Sequence, residues 1–429
     1  MDCDAVVVGG GLAGLVAARD LGEAGQRVVL FEARDRLGGR TWYRPIAGTD
    51  VPAEFGGTWF SRELQPALAG EIARYRLPVS PPPDVETTVW VAGGERHEDP
   101  SSADAFVKGL QSALPAIDEA AARLSAAWNA RGPTPGDLDV PSTAWIEGLQ
   151  ATRPAKDMLL AWMSTMGGGR PEDQSILMLL GEPALTGYRI EKTFESVSES
   201  FADGTSSLVD AIATDARADV RMSTVVERVR HDEAGVRVTV SDGTEVLASA
   251  AVVALPLNCL TDVLFDPPLS EAKRRASETR HAGISTKVLA LAEGFPAGTL
   301  CLGWKPPIQA AMGMKQVNGS TLVAGFDGLL SIQDPRDPGV VEKALRTYLP
   351  ECRVTAADSH DWNADPFSKG AWLAWPPGWI EFSEELPLPE GLLAFAGSDI
   401  AIEGSGYMEG AIASGRDAAA RTLANIGKP

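Results

Sequence analysis

The 429-residue chain has a formal net charge of −20, with 44% hydrophobic and 22% charged residues. These are ordinary globular proportions, and the length suggests two domains. The acidic balance disfavours nucleic acid and anionic membranes as partners; it suits a cationic small molecule and equally serves solubility. No run of about 18 uninterrupted apolar residues marks a membrane span, and the first strand starts too early to leave room for a signal peptide. The four cysteines (Cys3, Cys259, Cys301, Cys352) and the four histidines are too scattered for a disulfide framework or a metal site. A reduced, cytoplasmic protein without a metal is expected, as a monomer or homodimer.

In chain order, an apolar strand beginning at about residue 4 runs into Gly9-x-Gly11-x-x-Gly14. A helix follows and ends at Gly25. A second strand, residues 27–31, ends in Glu32, 18 residues after Gly14. This is the β-α-β dinucleotide-binding pattern. Gly9 permits the tight turn, Gly11 lets a pyrophosphate approach the backbone, and Gly14 lets helix and strand pack closely. The helix N-terminus offers free N–H groups to the phosphates, and Glu32 can accept from a ribose hydroxyl. Gly38-Gly39-Arg40 follows soon after Arg34 and is not needed to bind NAD. Next comes Glu54-Phe55-Gly56-Gly57-Thr58-Trp59-Phe60. Its glycines would let backbone pass close to a flat ring, and its aromatics would wall a cavity.

Prolines at 78–83 suggest a crossing out of the first domain. Residues from about 103 to 190 read as mostly helical: 103–131 with an interruption at Pro115, then 144–152 and 155–166. Gly167-Gly168-Gly169 stops that run, and another helix begins over 171–180. Residues 201–208 return to the first domain with a Ser- or Thr-capped helix. Strands follow over 223–231, 236–240 and 250–255. A second excursion begins at Pro267-Pro268, with a helix near 270–279, strands over 285–292, 299–304 and 320–326, and a helix over 339–348. Lys287 lies within the first of these strands. By position alone it reads as an exposed edge-strand lysine, because burial without a partner is costly. The last segments are Gly370-Ala371-Trp372 and Phe395-Ala396-Gly397-Ser398-Asp399. A run through Gly406-Tyr407-Met408 then enters a helix beginning near Met408, whose N-terminus carries partial positive charge.

Taken together and in this order, the segments around Gly9, Gly39, Gly56 and Gly397 resemble the flavoprotein amine oxidase family over essentially the whole chain. The resemblance implies FAD, bound noncovalently because Ala371 stands where covalent members carry a cysteine. It implies cofactor contacts from Gly9, Gly11, Gly14, Glu32, Arg34, Gly39, Arg40, Gly56, Gly57, Thr58, Val226, Gly397, Ser398, Asp399, Tyr407 and Met408. Arg40 would meet the pyrophosphate, the backbone at Val226 the adenine, and the dipole of the last helix the flavin's pyrimidine carbonyl. Lys287 would hold a water at the flavin N5 and promote reoxidation by dioxygen. Trp372 and Tyr407, otherwise ordinary core aromatics, would sandwich the substrate nitrogen. Trp59 and Thr165 would line the substrate cavity.

The fold this implies is α/β. A Rossmann-like FAD-binding domain of the glutathione-reductase type, in segments 1–80, 199–262 and 385–429, interdigitates with an α+β substrate domain. That second domain has a helical segment, 81–198, and a sheet segment, 263–384, and the ligand cavity lies between the domains. The implied reaction moves hydride from the α-carbon of a small neutral amine to flavin N5. Dioxygen returns the flavin and gives hydrogen peroxide, and the imine hydrolyses.

Residues 360–366, 160–166 and Gly397-Ser398-Asp399 resemble the bacterial 6-hydroxy-L-nicotine oxidase branch. Thr165 stands where that branch has a functional asparagine, and residues 181–188 do not reproduce its histidine-bearing segment. A related amine oxidase with altered specificity is expected, acting on cyclic or aryl-alkyl amines, secondary or primary. Two alternatives stay open. An L-amino-acid oxidase would need a carboxylate-binding arginine, for which Arg62 and Arg189 are candidates that read as surface residues. A non-oxidase flavoprotein would hold FAD structurally, against the presence of Lys287, Trp372 and Tyr407.

Overall fold

The computed structural model describes residues 1–81, 83–99, 110–130, 132–186, 189 and 198–427. The first part of the helix expected over 103–131 and the end of the 181–188 stretch lie outside them. Strand β1 (Ala5–Val8), helix α1 (Leu12–Glu23) and strand β2 (Val28–Phe31) form around the glycine turn. A five-stranded parallel sheet has the order Leu393–Phe395, Ala250–Val253, β1, β2, Asp219–Arg221. Every residue of β1 and β2 is buried, as expected for a parallel sheet covered on both faces. Side chains alternate between those faces. Ala5 and Val7 pack with α1 and with helices Ser206–Asp215 and Met408–Ile426. Val6 and Val8 pack against a four-stranded sheet, in the order Glu245–Ala248, Gly235–Val240, Val226–Asp232, Leu264–Asp266.

The second body is a seven-stranded sheet. Its order is Arg353–Ser359, Thr286–Glu293, Ser320–Asp327, Ala310–Val317, Thr299–Gly303, Thr87–Ala92, Glu95–Asp99. Helices Leu114–Asn129, Arg153–Met166 and Leu177–Thr186 supply the apolar core beside it. Among the described residues no helix is long and apolar enough to cross a membrane.

Several elements differ from the sequence reading. Pro115 does not interrupt a helix; it sits in the first turn of Leu114–Asn129, where its missing N–H costs nothing. The helix expected from residue 171 begins at Leu177. Thr205 precedes Ser206–Asp215, but its hydroxyl donates to a Glu54 oxygen at 2.9 Å instead of capping. The sequence reading does not anticipate strands Ala310–Val317 and Arg353–Ser359, nor the hairpin Thr87–Asp99. That hairpin turns at Gly93-Gly94, with φ of +64° and +82°, the signature of a two-residue turn.

Candidate active site

A cavity of about 1370 Å³ opens where the C-terminal ends of β1 and β2 meet the seven-stranded sheet. At Gly9, φ is +107° and a Cβ would stand 2.5 Å from the Ala254 carbonyl oxygen. At Gly14 a Cβ would stand 1.9 Å from the Gly9 carbonyl oxygen, so these two glycines serve the protein's own packing. Gly11 is different. It lines the cavity, and the nearest atom to a Cβ there would be 3.9 Å away. Packing within the chain does not call for glycine at Gly11; a ligand drawn against the backbone does. Glu32, only 4% exposed, accepts from the Gly10 N–H at 2.7 Å and the Arg34 N–H at 2.8 Å. Its carboxylate is thus held at the end of β2, on the cavity wall. The glycine turn, the α1 N-terminus and this carboxylate fit an adenine dinucleotide.

Arg40 donates to the Ala371 carbonyl at 2.7 Å, to Ser398 Oγ at 3.1 Å and to Asp399 Oδ1 at 2.7 Å. Burial pushes the Asp399 carboxyl upward, but Arg40 and His281 outweigh it and hold the group below the usual range. Asp399 and Gly14 do not line the cavity; Asp399 stands behind Arg40 and Gly14 beneath the turn. The other residues expected at the cofactor do line it: Arg34, Gly39, Gly56, Gly57, Thr58, Val226, Gly397, Ser398, Tyr407 and Met408. Arg34 also donates to Asp365 at 2.7 Å and Ser368 at 2.8 Å, tying down the loop that leads to Ala371.

Lys287 is not on an edge. Its strand lies between Ser320–Asp327 and Arg353–Ser359, and the residue is 4% exposed. The ammonium donates to the Gly56 carbonyl at 3.1 Å and, by a short bond, to the Thr58 hydroxyl. It lies 4.6 Å from the centre of the Trp59 ring, a favourable cation–π distance. Burial lowers its pKa to about 8, against the opposing pull of Glu54.

Trp372 borders the same cavity, its indole N–H donating to the Met166 carbonyl at 2.7 Å. Tyr407 reaches the wall from the residue just before helix Met408–Ile426. Thr165 and Trp59 line the cavity too, the Thr165 hydroxyl donating to the Ala161 carbonyl at 2.9 Å. The candidate carboxylate binders are elsewhere: Arg62 pairs with Glu199 at 2.6 Å and Arg189 with Asp118 at 3.0 Å, both on exposed side chains off the cavity wall.

Sequence reasoning passes over Phe326. This ring pairs with Lys287 across the ladder and packs between Trp59, at 5.7 Å, and Trp372, at 6.0 Å and 87°. Trp162, Met166 and Leu302 complete that wall. The available signal was the alternation of the strand over 320–326, but the register that sets Phe326 opposite Lys287 has no local marker.

The fold and site define a dinucleotide-dependent enzyme with an aromatic pocket and a buried lysine. The chain belongs to the family of flavin containing amine oxidoreductases, whose pattern matches residues 12–423. It is 34% identical over 424 residues to (S)-6-hydroxynicotine oxidase of Paenarthrobacter nicotinovorans, covering 95% of this chain and 96% of that protein. It is 33% identical over 438 residues to pseudooxynicotine dehydrogenase of a Pseudomonas species, covering 97% and 85%. In fold it resembles putrescine oxidase bound to putrescine, with a TM-score of 0.85 at 24% identity over 99% of each chain. It also resembles cyclohexylamine oxidase from Brevibacterium oxydans IH-35A, with a TM-score of 0.84 at 22% identity over the full length of both. The protein is an FAD-dependent oxidoreductase that acts on small amines, near the nicotine-oxidase branch.

Proposed function

We propose that this enzyme oxidises small neutral amines whose distal part is uncharged, with noncovalent FAD and with dioxygen as electron acceptor. One observation carries the substrate class. Every described residue that helices Arg153–Met166 and Leu177–Thr186 and strands Thr299–Gly303, Ala310–Val317 and Ser320–Asp327 contribute to the cavity wall is uncharged. A second ammonium or a carboxylate would lose its hydration against these elements and gain no charged partner from their described residues. Cyclic and aryl-alkyl amines suit such a wall; α-amino acids and diamines do not.

FAD, when bound, would supply the hydride acceptor for the amine's α-carbon and the route for its electrons to dioxygen, with hydrogen peroxide and a hydrolysable imine as products. Trp372 and Tyr407 orient the amine nitrogen and keep water from it. Lys287 holds a water through its remaining N–H and, with a pKa of about 8, is mostly protonated at pH 7. It thereby presents fixed positive charge to the negative charge that develops on dioxygen. Arg40, held by Asp399, faces the pyrophosphate, and Glu32 the ribose. Noncovalent binding is supported by the inert methyl of Ala371 on the wall. Cys259 is also on the wall, but burial pushes its thiol up to about 12.

The sheets support two interdigitated domains. Among the described residues, strands of the parallel sheet come only from 1–80, 199–262 and 385–429, and those of the seven-stranded sheet only from 81–198 and 263–384. Leu264–Asp266 joins the four-stranded sheet, so the boundary there falls beyond residue 266. A cytoplasmic monomer or homodimer completes the reading, with four buried free cysteines in keeping with a reducing compartment.

Oxygen uptake and peroxide formation with four amines test the proposal. A cyclic secondary amine and an aryl-alkyl primary amine are expected to exceed an α,ω-diamine and an α-amino acid by about 100-fold in kcat/KM, for a desolvation cost of about 3 kcal/mol. Preference for the diamine or the amino acid contradicts the substrate class. Amine oxidation that proceeds only with an artificial dye contradicts the acceptor.

A further inference from the structure

Gly167-Gly168-Gly169 follows helix Arg153–Met166. Ending a helix calls for one glycine, not three. Each of the three has its own close neighbour. A Cβ on Gly167 would stand 1.7 Å from the side-chain oxygen of Gln174, and one on Gly169 would stand 2.4 Å from the Ala282 carbonyl oxygen. Gly168, at φ +70°, faces the indole of Trp372, where a Cβ would lie 2.5 Å from both Cε2 and Nε1. The indole N–H is already bonded to the Met166 carbonyl at 2.7 Å. The ring is therefore held along one edge and rests on the bare Cα of Gly168. The Gly168 carbonyl in turn accepts from the N–H groups of Ile284 and Ser285, both at 2.7 Å. Those residues lie immediately before the strand that carries Lys287. One residue thus touches the ring of Trp372 and pins the entry of the lysine's strand.

We propose that Gly168 is a positioning residue for amine oxidation: it sets the depth of the Trp372 indole in the cavity, and a residue with a Cβ at this place displaces the ring. Gly168 does not itself line the cavity; it acts through Trp372. Relief of a 2.5 Å contact to ordinary carbon–carbon separation moves the ring by about an ångström, a displacement large enough to spoil orientation of a bound amine. The inference rests on the placement of Trp372 in the substrate-facing wall.

The test compares Gly168→Ala, Trp372→Ala and the double variant by FAD content and by the anaerobic rate at which a cyclic amine bleaches the flavin. Gly319→Ala is the control for backbone strain alone, since Gly319 has φ +86° and no atom within 4 Å of a Cβ. Gly168→Ala is expected to keep its FAD and to slow bleaching by about tenfold or more, while Gly319→Ala stays within about twofold. In the Trp372→Ala background, Gly168→Ala is expected to change the rate by less than about twofold, because no ring remains to be displaced. An equal effect in both backgrounds overturns the proposal, as does a Gly168→Ala rate within about twofold of the parent. If Gly168→Ala does not accumulate as folded protein, the double variant is expected to; its failure to fold also overturns the proposal. A Trp372→Ala rate equal to the parent's instead refutes the substrate-wall assignment on which the inference rests.

Discussion

Arg40 and Asp399, 359 positions apart, form an ion pair at 2.7 Å that closes an N-terminal and a C-terminal segment on each other beside the cavity. The second oxygen of Asp399 accepts from the Leu257 N–H at 3.1 Å, and Arg40 also bonds the Ala371 carbonyl at 2.7 Å. The ion pair, rather than either group alone, therefore joins four distant stretches of chain beside the cavity. Removing one partner of a buried pair leaves the other uncompensated, at a cost of roughly 3 kcal/mol. Asp399→Asn is expected to lose about that much stability in urea unfolding and to bind FAD about tenfold more weakly by equilibrium dialysis. Unchanged FAD affinity speaks against Arg40 as a cofactor tether.

The alanine at position 371 bears on how the cofactor is kept. Trichloroacetic acid precipitation is expected to leave the flavin in the supernatant and a colourless pellet. A yellow pellet would show a covalent bond through some other group.

Lys287 is a buried charged group in the aromatic part of the site. Lys287→Met is expected to slow dioxygen-dependent turnover on the order of 100-fold, while anaerobic bleaching by the amine stays within about threefold. Burial lowers the Lys287 pKa to about 8, so its positive charge fades as pH rises through that value. The parent's dioxygen step should fall over the same range and the variant's should not. A variant that keeps the parent's pH profile removes Lys287 from this role.

The glycine turn and Glu32 are legible in the sequence because their constraints are local. One strand, one turn and one helix decide them within the first 32 residues. Trp372, Tyr407 and Lys287 are legible only through resemblance, since nothing in their neighbours brings three distant segments to one cavity. Phe326 escapes because its position depends on a cross-strand register. The three glycines at 167–169 read as a helix stop because the demand on Gly168 comes from a ring far along the chain. Thr205 reads as a cap, and only the approach of Glu54 from another segment turns its hydroxyl elsewhere.

His281 gives a pH dependence of stability. Its Nδ1 accepts from the Gly283 N–H at 3.1 Å, and burial lowers its pKa from 6.5 to about 4. Between these values the unfolded chain binds a proton that the folded chain does not, so stability falls as pH drops from 6.5 towards 4. The loss from this group is on the order of 3 kcal/mol at most. Asp365 is raised by burial but brought down to about 2 by His360, the Phe367 N–H and Arg34, and adds a further loss below 3.8. Urea unfolding of the parent and of His281→Gln at pH 7, 5 and 4 checks the first effect. The variant is expected to show the shallower decline, and equal slopes contradict it.

The most direct measurement is an anaerobic titration of the FAD-loaded protein with hydroxynicotine enantiomers, cyclic amines, aryl-alkyl amines and amino acids. It is followed at the flavin band at about 450 nm, a property of the cofactor itself. Bleaching in stoichiometric proportion by a cyclic or aryl-alkyl amine, and not by amino acids, is the expected result. A protein that holds FAD yet keeps its full band with every amine in the panel contradicts amine oxidation at this site.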